Sequence, residues 1–163
     1  MKEVVQNRDF IRVGKSRIQG TGVFAKRKIP RGTRIIEYKG KRVKKENLRD
    51  EYHKGLTSMV YVLSLDETYA IDGEREGNDA RFINHSCQPN CEIYIFDDIA
   101  YVYAAVEIKR GTELTFDYKL QSASGNQLTD KQNKELFPCY CGSENCRGTL
   151  IAKVKRQKRT ARS

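Results

Sequence analysis

Residues 81–91 crowd Arg81, Asn84, His85, Ser86, Cys87, Pro89, Asn90 and Cys91 into one short run. This mixture favours side-chain-to-backbone turns over regular ladders, and irregular segments are where positioned polar groups tend to sit. A second concentration is Cys139-x-Cys141-x-x-x-x-Cys146. Three thiolates so close together suit a structural zinc, which takes four ligands. Close cysteines in an intracellular protein point to metal rather than to disulfides. His85 is a conceivable competing ligand. A thiol nucleophile built from Cys87 and His85 lacks an evident orienting partner, and the chain holds no convincing catalytic triad. A third feature is the pair Gly20-x-Gly22, which lets the backbone turn tightly and approach a ligand closely.

The elements that must hold these residues are short. Phe10–Val13 and Gly22–Ala25 read as two strands around the loop from Ser16 to Gly22. Val43–Lys54 is rich in strong helix formers and reads as a helix. Met59–Leu65 and Thr68–Asp72 are β-branched and aromatic, hence strands. Glu92–Phe96 and Ile99–Val106 form a hairpin across Asp97-Asp98. Glu113–Tyr118 is a further strand. Many short strands with few helices make the fold mainly β. Ile29–Ile35 echoes Ile108–Leu114, each a glycine turn leading into a strand. Two distant copies do not make a solenoid.

At 163 residues the chain fits one domain with appendages. Its 38% hydrophobic and 32% charged content suits a soluble protein. No apolar run approaches the roughly 18 residues that span a membrane, and the first residues lack the apolar core of a signal peptide. An intracellular location is expected. The net charge of +10 is unevenly divided. Residues 26–49 carry eleven basic and two acidic side chains, residues 50–118 five basic and fourteen acidic, and residues 153–163 six basic and none acidic. An acidic middle between basic flanks suits a basic peptide at one face and nucleic acid at another.

Three strings carry a resemblance. Arg81-Phe82-Ile83-Asn84-His85-Ser86-Cys87-Gln88-Pro89-Asn90, Glu113-Leu114-Thr115-Phe116-Asp117-Tyr118, and Phe137-Pro138-Cys139-Tyr140-Cys141 with Cys146-Arg147-Gly148 stand in that order. They resemble the central, C-terminal and post-SET motifs of SET-domain protein lysine methyltransferases, with trithorax-like enzymes the nearest in pattern. The resemblance covers roughly residues 10–150. It implies short curled sheets, a pseudoknot at the central motif and a C-terminal zinc-bound loop. The expected organisation is an extension at 1–9, the SET domain at 10–118 and a flexible connector at 119–138. A post-SET zinc segment at 139–152 and a basic, disordered tail at 153–163 complete it.

The same resemblance implies roles. Tyr118 is the expected catalytic tyrosine, Tyr61 lines the lysine channel and touches the cofactor, and Phe116 lies beside the lysine amine. Gln19, Gly20, Thr21 and Gly22, with Asn84, His85 and Phe137, are the expected contacts of S-adenosyl-L-methionine. Many trithorax-like enzymes carry His and Arg where this chain has Gln19 and Thr21. Cys87 joins Cys139, Cys141 and Cys146 around one structural zinc, leaving Cys91 a buried free thiol. The implied activity is methylation of lysines on histone tails or a similar basic DNA-associated protein. It would take place at chromatin or a nucleoid, or in a host nucleus if the source is a bacterium. A phenylalanine at 116 cannot hold a water as a tyrosine would, which points to di- or trimethylation; Tyr94 or Tyr103 could supply the missing hydroxyl. The competing reading is an inactive, zinc-stapled module that binds chromatin or nucleic acid through its basic segments.

Overall fold

The computed structural model describes residues 9–121 and 128–153. Most of the expected extension and basic tail, and the middle of the connector, lie outside these residues. Strands β1 (Ile11–Lys15) and β2 (Thr21–Ala25) form an antiparallel hairpin around the 16–20 loop. Next come β3 (Arg34–Glu37), β4 (Lys41–Lys44), α1 (Lys45–His53), β5 (Val62–Ser64) and β6 (Tyr69–Asp72). A 3-10 turn at Asp79–Phe82 leads into β7 (Asn84–His85). The hairpin β8 (Cys91–Phe96) and β9 (Ile99–Ala104) follows, then β10 (Thr115–Phe116) and α2 (Asp130–Leu136).

The strands make four small sheets. Two have three strands, β3-β9-β8 and β4-β6-β5, and two have two strands, β1-β2 and β10-β7. The last pair is parallel, with Thr115 opposite Asn84 and Phe116 opposite His85. Asn90 strengthens this junction by donating to the Glu113 carbonyl at 2.8 Å and accepting from the Thr115 N–H at 2.9 Å. The C-terminal motif therefore lies directly against the central run.

A main core joins the sheets, and a smaller cluster of Val43, Leu48 and Ala70 packs α1 against β4 and β6. Val23, Ile29, Ile35, Ile83, Val102, Ile108 and Leu114 are almost wholly buried. The echo seen in the sequence is spatial. Ile29 and Ile108 form an antiparallel bridge, and both turn glycines have positive φ, +81° at Gly32 and +83° at Gly111. The Gly32 N–H reaches the Ala104 carbonyl and the Gly111 N–H the Ala25 carbonyl, so each turn closes on the opposite strand.

Several expectations change. Residues 43 and 44 belong to β4, because pairing with β6 claims them before α1 begins. Met59 sits at φ +61° outside any strand, and β5 starts only at Val62. The central run, expected to be irregular, contains both the 3-10 turn and β7. The connector holds α2, closed by a capping box between Thr129 and Gln132. The basic and acidic blocks meet in the sheets: β3 pairs with β9 and β4 with β6, and the ion pairs Lys28–Glu107 and Arg42–Asp98 link them. No helix among the described residues is long and apolar enough to cross a membrane.

Candidate active site and metal centre

The four expected thiols converge. The Sγ atoms of Cys87, Cys139, Cys141 and Cys146 all lie within 4.8 Å of one another, and those of Cys87 and Cys139 are 3.7 Å apart. A zinc–sulfur bond of about 2.3 Å implies a tetrahedral edge of about 3.8 Å, so this spacing fits zinc. The surroundings fit a negatively charged cluster as well. The Arg147 N–H points at Cys87 Sγ and the Gly148 N–H at Cys146 Sγ, each at 3.3 Å. Burial pushes the Cys139 and Cys87 thiols up. Burial also opposes ionisation of Cys141, yet the Cys87 N–H and the Ser143 hydroxyl bring it down to about 5. A divalent cation would hold all four as thiolates. Cys91 lies apart, 1% exposed, and burial pushes its thiol up to about 12.

His85 is not a fifth ligand. Its ring is buried, with Nδ1 accepting from the Tyr118 N–H at 3.0 Å and Nε2 lying 3.4 Å from Cys87 Sγ. With Nδ1 an acceptor, the proton sits on Nε2 and faces the sulfur. Burial lowers the pKa of this histidine and keeps it neutral, against the pull of Asp117. The Cys87–His85 contact is thus real, but the thiol is one of four converging sulfurs. The imidazole side chain is likewise committed inward. Because the Ser86 N–H bonds to the Phe116 carbonyl, the alternation of a parallel ladder turns the His85 N–H and C=O away from β10.

A second link joins the metal centre to the C-terminal motif. The Arg147 guanidinium grips Asp117 at 2.8 and 3.0 Å, and Asp117 Oδ1 is 3.5 Å from His85 Nδ1. Leu120 pairs with Ile151, which fastens the far end of the cysteine segment.

The expected reaction residues gather beside this junction. Tyr118 donates its hydroxyl to the Ile83 carbonyl at 2.9 Å. Its ring lies 4.9 Å from Phe116 and 5.3 Å from His85. Burial raises its pKa first, with Tyr61 and Glu113 adding to the effect, so the phenol stays neutral. A hydroxyl that has donated its only proton retains lone pairs. Tyr61 packs edge-on against Phe82 at 5.8 Å, and its carbonyl accepts from the Tyr38 hydroxyl at 2.9 Å. Tyr38, 4% exposed, is also strongly raised by burial and then by Tyr118. It belongs to this aromatic cluster; its one signal in the sequence is its place at the end of the echoed strand, matching that of Tyr118. Tyr94 and Tyr103 do not belong to the cluster. Alternation places them with Glu92 on the solvent face of β8–β9, opposite the buried Phe116, and the Tyr94 hydroxyl is spent on Glu92 at 2.7 Å.

The glycine loop meets the central run through Asn84. Its Nδ2 reaches the Gln19 carbonyl at 3.1 Å, the Thr21 carbonyl at 3.0 Å and Glu113 Oε1 at 2.9 Å. Gln19, Gly20 and Thr21 are exposed, and Gly22 is buried. Gly20 has φ +48°, a left-handed angle that favours glycine. Phe137 ends α2, half-buried, with its carbonyl accepting from the Leu150 N–H at 2.9 Å. Among the described residues no ring contact joins it to Asn84 or Tyr118. Arg147, Asp117 and Glu113 were legible only as motif letters; their partners lie 29 to 97 positions away.

Small curled sheets, a parallel β7–β10 junction and a four-cysteine cluster beside it together define a SET-type domain. The family model described as SET domain matches residues 20–119, and the chain belongs to that family. Among similar proteins, one named Histone-lysine N-methyltransferase trr, from Drosophila melanogaster, is 36% identical over 146 residues, which is 86% of this chain. Histone-lysine N-methyltransferase 2D of Homo sapiens is 36% identical over 141 residues, or 83% of the chain. An Aspergillus oryzae protein named Histone-lysine N-methyltransferase, H3 lysine-4 specific, is 35% identical over 147 residues, or 86%. The chain spans only 6%, 2% and 11% of these three proteins' lengths.

Proposed function

We propose that this chain is an S-adenosylmethionine-dependent protein-lysine N-methyltransferase. Its substrate would be a histone tail or a similarly basic DNA-associated protein, in a nucleus or nucleoid. The observation that carries the reading is the Tyr118 hydroxyl. It is anchored to the Ile83 carbonyl with its lone pairs free, inside a cluster with Tyr61, Tyr38 and Phe116.

Such a cluster suits the chemistry. A lysine amine must be neutral to act as nucleophile, and its ordinary pKa is about 10.4. Apolar aromatic walls disfavour the ammonium and lower that value. S-adenosylmethionine, when bound, supplies a sulfonium-linked methyl that the amine displaces in line. Tyr118 can accept weak hydrogen bonds from that methyl and hold the two partners aligned, and alignment supplies much of the rate. A neutral, raised phenol makes Tyr118 an orienting group rather than a general base. Asn84, the carbonyls that flank Gly20 and the outward backbone of His85 would bind the cofactor. Phe137 would cover the adenine from the cysteine segment.

Zinc, when bound to Cys87, Cys139, Cys141 and Cys146, would fasten the 139–152 segment to β7. Phe116 beside Tyr118 supports addition of two or three methyl groups, since no hydroxyl is present there to hold a blocking water. Calorimetric titration of zinc-replete protein with S-adenosylmethionine tests the reading. Stoichiometric binding is expected; none at millimolar ligand would leave only a binding module.

A further inference from the structure

We propose that Glu113 is a positioning residue that fixes the side-chain amide of Asn84 and so prepares the site for the cationic end of the cofactor. The inference rests on the reading of the chain as an S-adenosylmethionine-dependent enzyme. Its starting point is Asn84 Nδ2, which faces three acceptors: the Gln19 and Thr21 carbonyls and Glu113 Oε1. None of the three can donate. Rotating the amide would set Oδ1 against three oxygens, so the NH2 group must point inward and Oδ1 outward.

Two of those acceptors belong to a loop that turns at Gly20, and Glu113 supports that loop too. Its Oε1 accepts the Ser16 hydroxyl at 2.7 Å. Ser16 Oγ in turn accepts the N–H groups of Ile18 at 2.9 Å and Gln19 at 3.3 Å. One carboxylate oxygen therefore ties the 16–21 loop to the central run. The second glycine of Gly20-x-Gly22 is explained by the same oxygen. A Cβ at Gly22 would collide with Glu113 Oε1 and Cδ. Gly20 is favoured by its backbone angle, and Gly22 leaves room for the carboxylate.

Glu113 is itself held. Its carbonyl accepts from Asn90 Nδ2 at 2.8 Å, and Leu114 beyond it bonds to Val23. The resulting surface offers an outward acceptor with a carboxylate behind it. Donors carrying positive charge are favoured there, and the amino-acid end of S-adenosylmethionine carries an ammonium.

The test compares wild type, Glu113→Ala, Glu113→Gln and Glu113→Asp as zinc-loaded full chains. Affinity for S-adenosylmethionine and for S-adenosylhomocysteine is read by calorimetry, KM and kcat by methyl transfer, and amide exchange at Ile18 and Gln19 by NMR. Loss of one charge-assisted hydrogen bond corresponds to about tenfold or more in affinity. Glu113→Ala is expected to weaken both ligands and raise the cofactor KM by about that factor, with kcat changed by less than about threefold. Glu113→Gln keeps an oxygen at Oε1 but drops the charge, and should bind more tightly than Ala while falling short of wild type. Should Glu113→Ala fail to fold, Glu113→Asp keeps the charge but withdraws it by one methylene, and should bind as weakly as expected for Ala. Wild-type affinity in Ala or Asp, or a Gln variant as weak as Ala, overturns the proposal. If the wild-type chain binds neither ligand, the proposed function fails. The Glu113 assignment is then judged by exchange alone, where unchanged Ile18 and Gln19 protection in Glu113→Ala overturns it.

Discussion

Replacing Arg147 by Met tests whether the cysteine segment is clamped by more than its metal. The guanidinium makes two charge-assisted bonds to Asp117, at 2.8 and 3.0 Å, with the two side chains only 13% and 20% exposed. A hydrogen bond to a charged group contributes about 1.5–3 kcal/mol. The two bonds share one ion pair, and Asp117 regains water once Arg147 is gone, so about 2–3 kcal/mol is expected rather than double that. Burial works against the Asp117 charge, but Arg147 and the Lys119 N–H hold its carboxyl below the ordinary carboxylate range. A depressed pKa stabilises the fold above the unfolded value of about 3.9 and loses that contribution as pH falls through the folded one. The pair is therefore fully formed at pH 7.5. Cys87 lies on the β7 side and the other three thiols on the segment, so undocking removes one ligand of four. Zinc affinity should fall by about 30- to 140-fold, at 1.4 kcal/mol per decade. Competition with a chromogenic chelator measures this, beside metal analysis showing one zinc per wild-type chain. Melting of the β core, followed by circular dichroism, should move by only a few degrees. Wild-type zinc affinity in Arg147→Met would refute the reasoning, as would additive effects in a cycle with Asp117→Asn.

Other outcomes follow from the same geometry. Tyr118→Phe should lose most methyl transfer yet bind cofactor within a few fold, while losing about 1 kcal/mol of stability with the bond to Ile83; turnover and calorimetry on one preparation check both. Phe116→Tyr should shift products toward monomethyl-lysine without slowing the first transfer, read by mass spectrometry of a peptide time course. The rate should climb with pH as substrate lysine loses its proton. Because burial raises the Tyr118 phenol above its ordinary value of 10.0, no falling limb from its ionisation should appear up to about pH 10; a decline near pH 9 in stable protein would contradict the buried, neutral phenol.

Much of this arrangement was legible in the chain, and the exceptions share a cause. The β8–β9 hairpin follows from strand-forming residues around Asp97-Asp98, both of which adopt positive φ, 49° and 64°. Three of the four thiols, Cys139, Cys141 and Cys146, announce themselves by spacing, while Cys87 joins them only through the family resemblance. Val43, by contrast, reads as helix by composition and is strand because β6 lies beside it. Helix α2 buries none of its residues, so no apolar period announces it; its Thr-x-x-Gln cap was the available signal. The echo of Ile29–Ile35 in Ile108–Leu114 was visible as repetition, but not as the pairing of Ile29 with Ile108. Tyr38, Glu113 and Arg147 take their meaning from distant partners. Local sequence carries no term for those contacts.

Transfer of methyl groups to lysine can be read directly. Zinc-replete protein should be incubated with S-adenosylmethionine carrying a deuterated methyl, together with a histone mixture and, separately, a basic bacterial DNA-binding protein. Mass spectrometry should find labelled lysines in one of the two, carrying two or three labelled methyl groups at completion, with only a small fraction of that label in the Tyr118→Phe control. A chain that binds the cofactor but leaves both mixtures unlabelled, or labels them equally with and without Tyr118, would contradict the account.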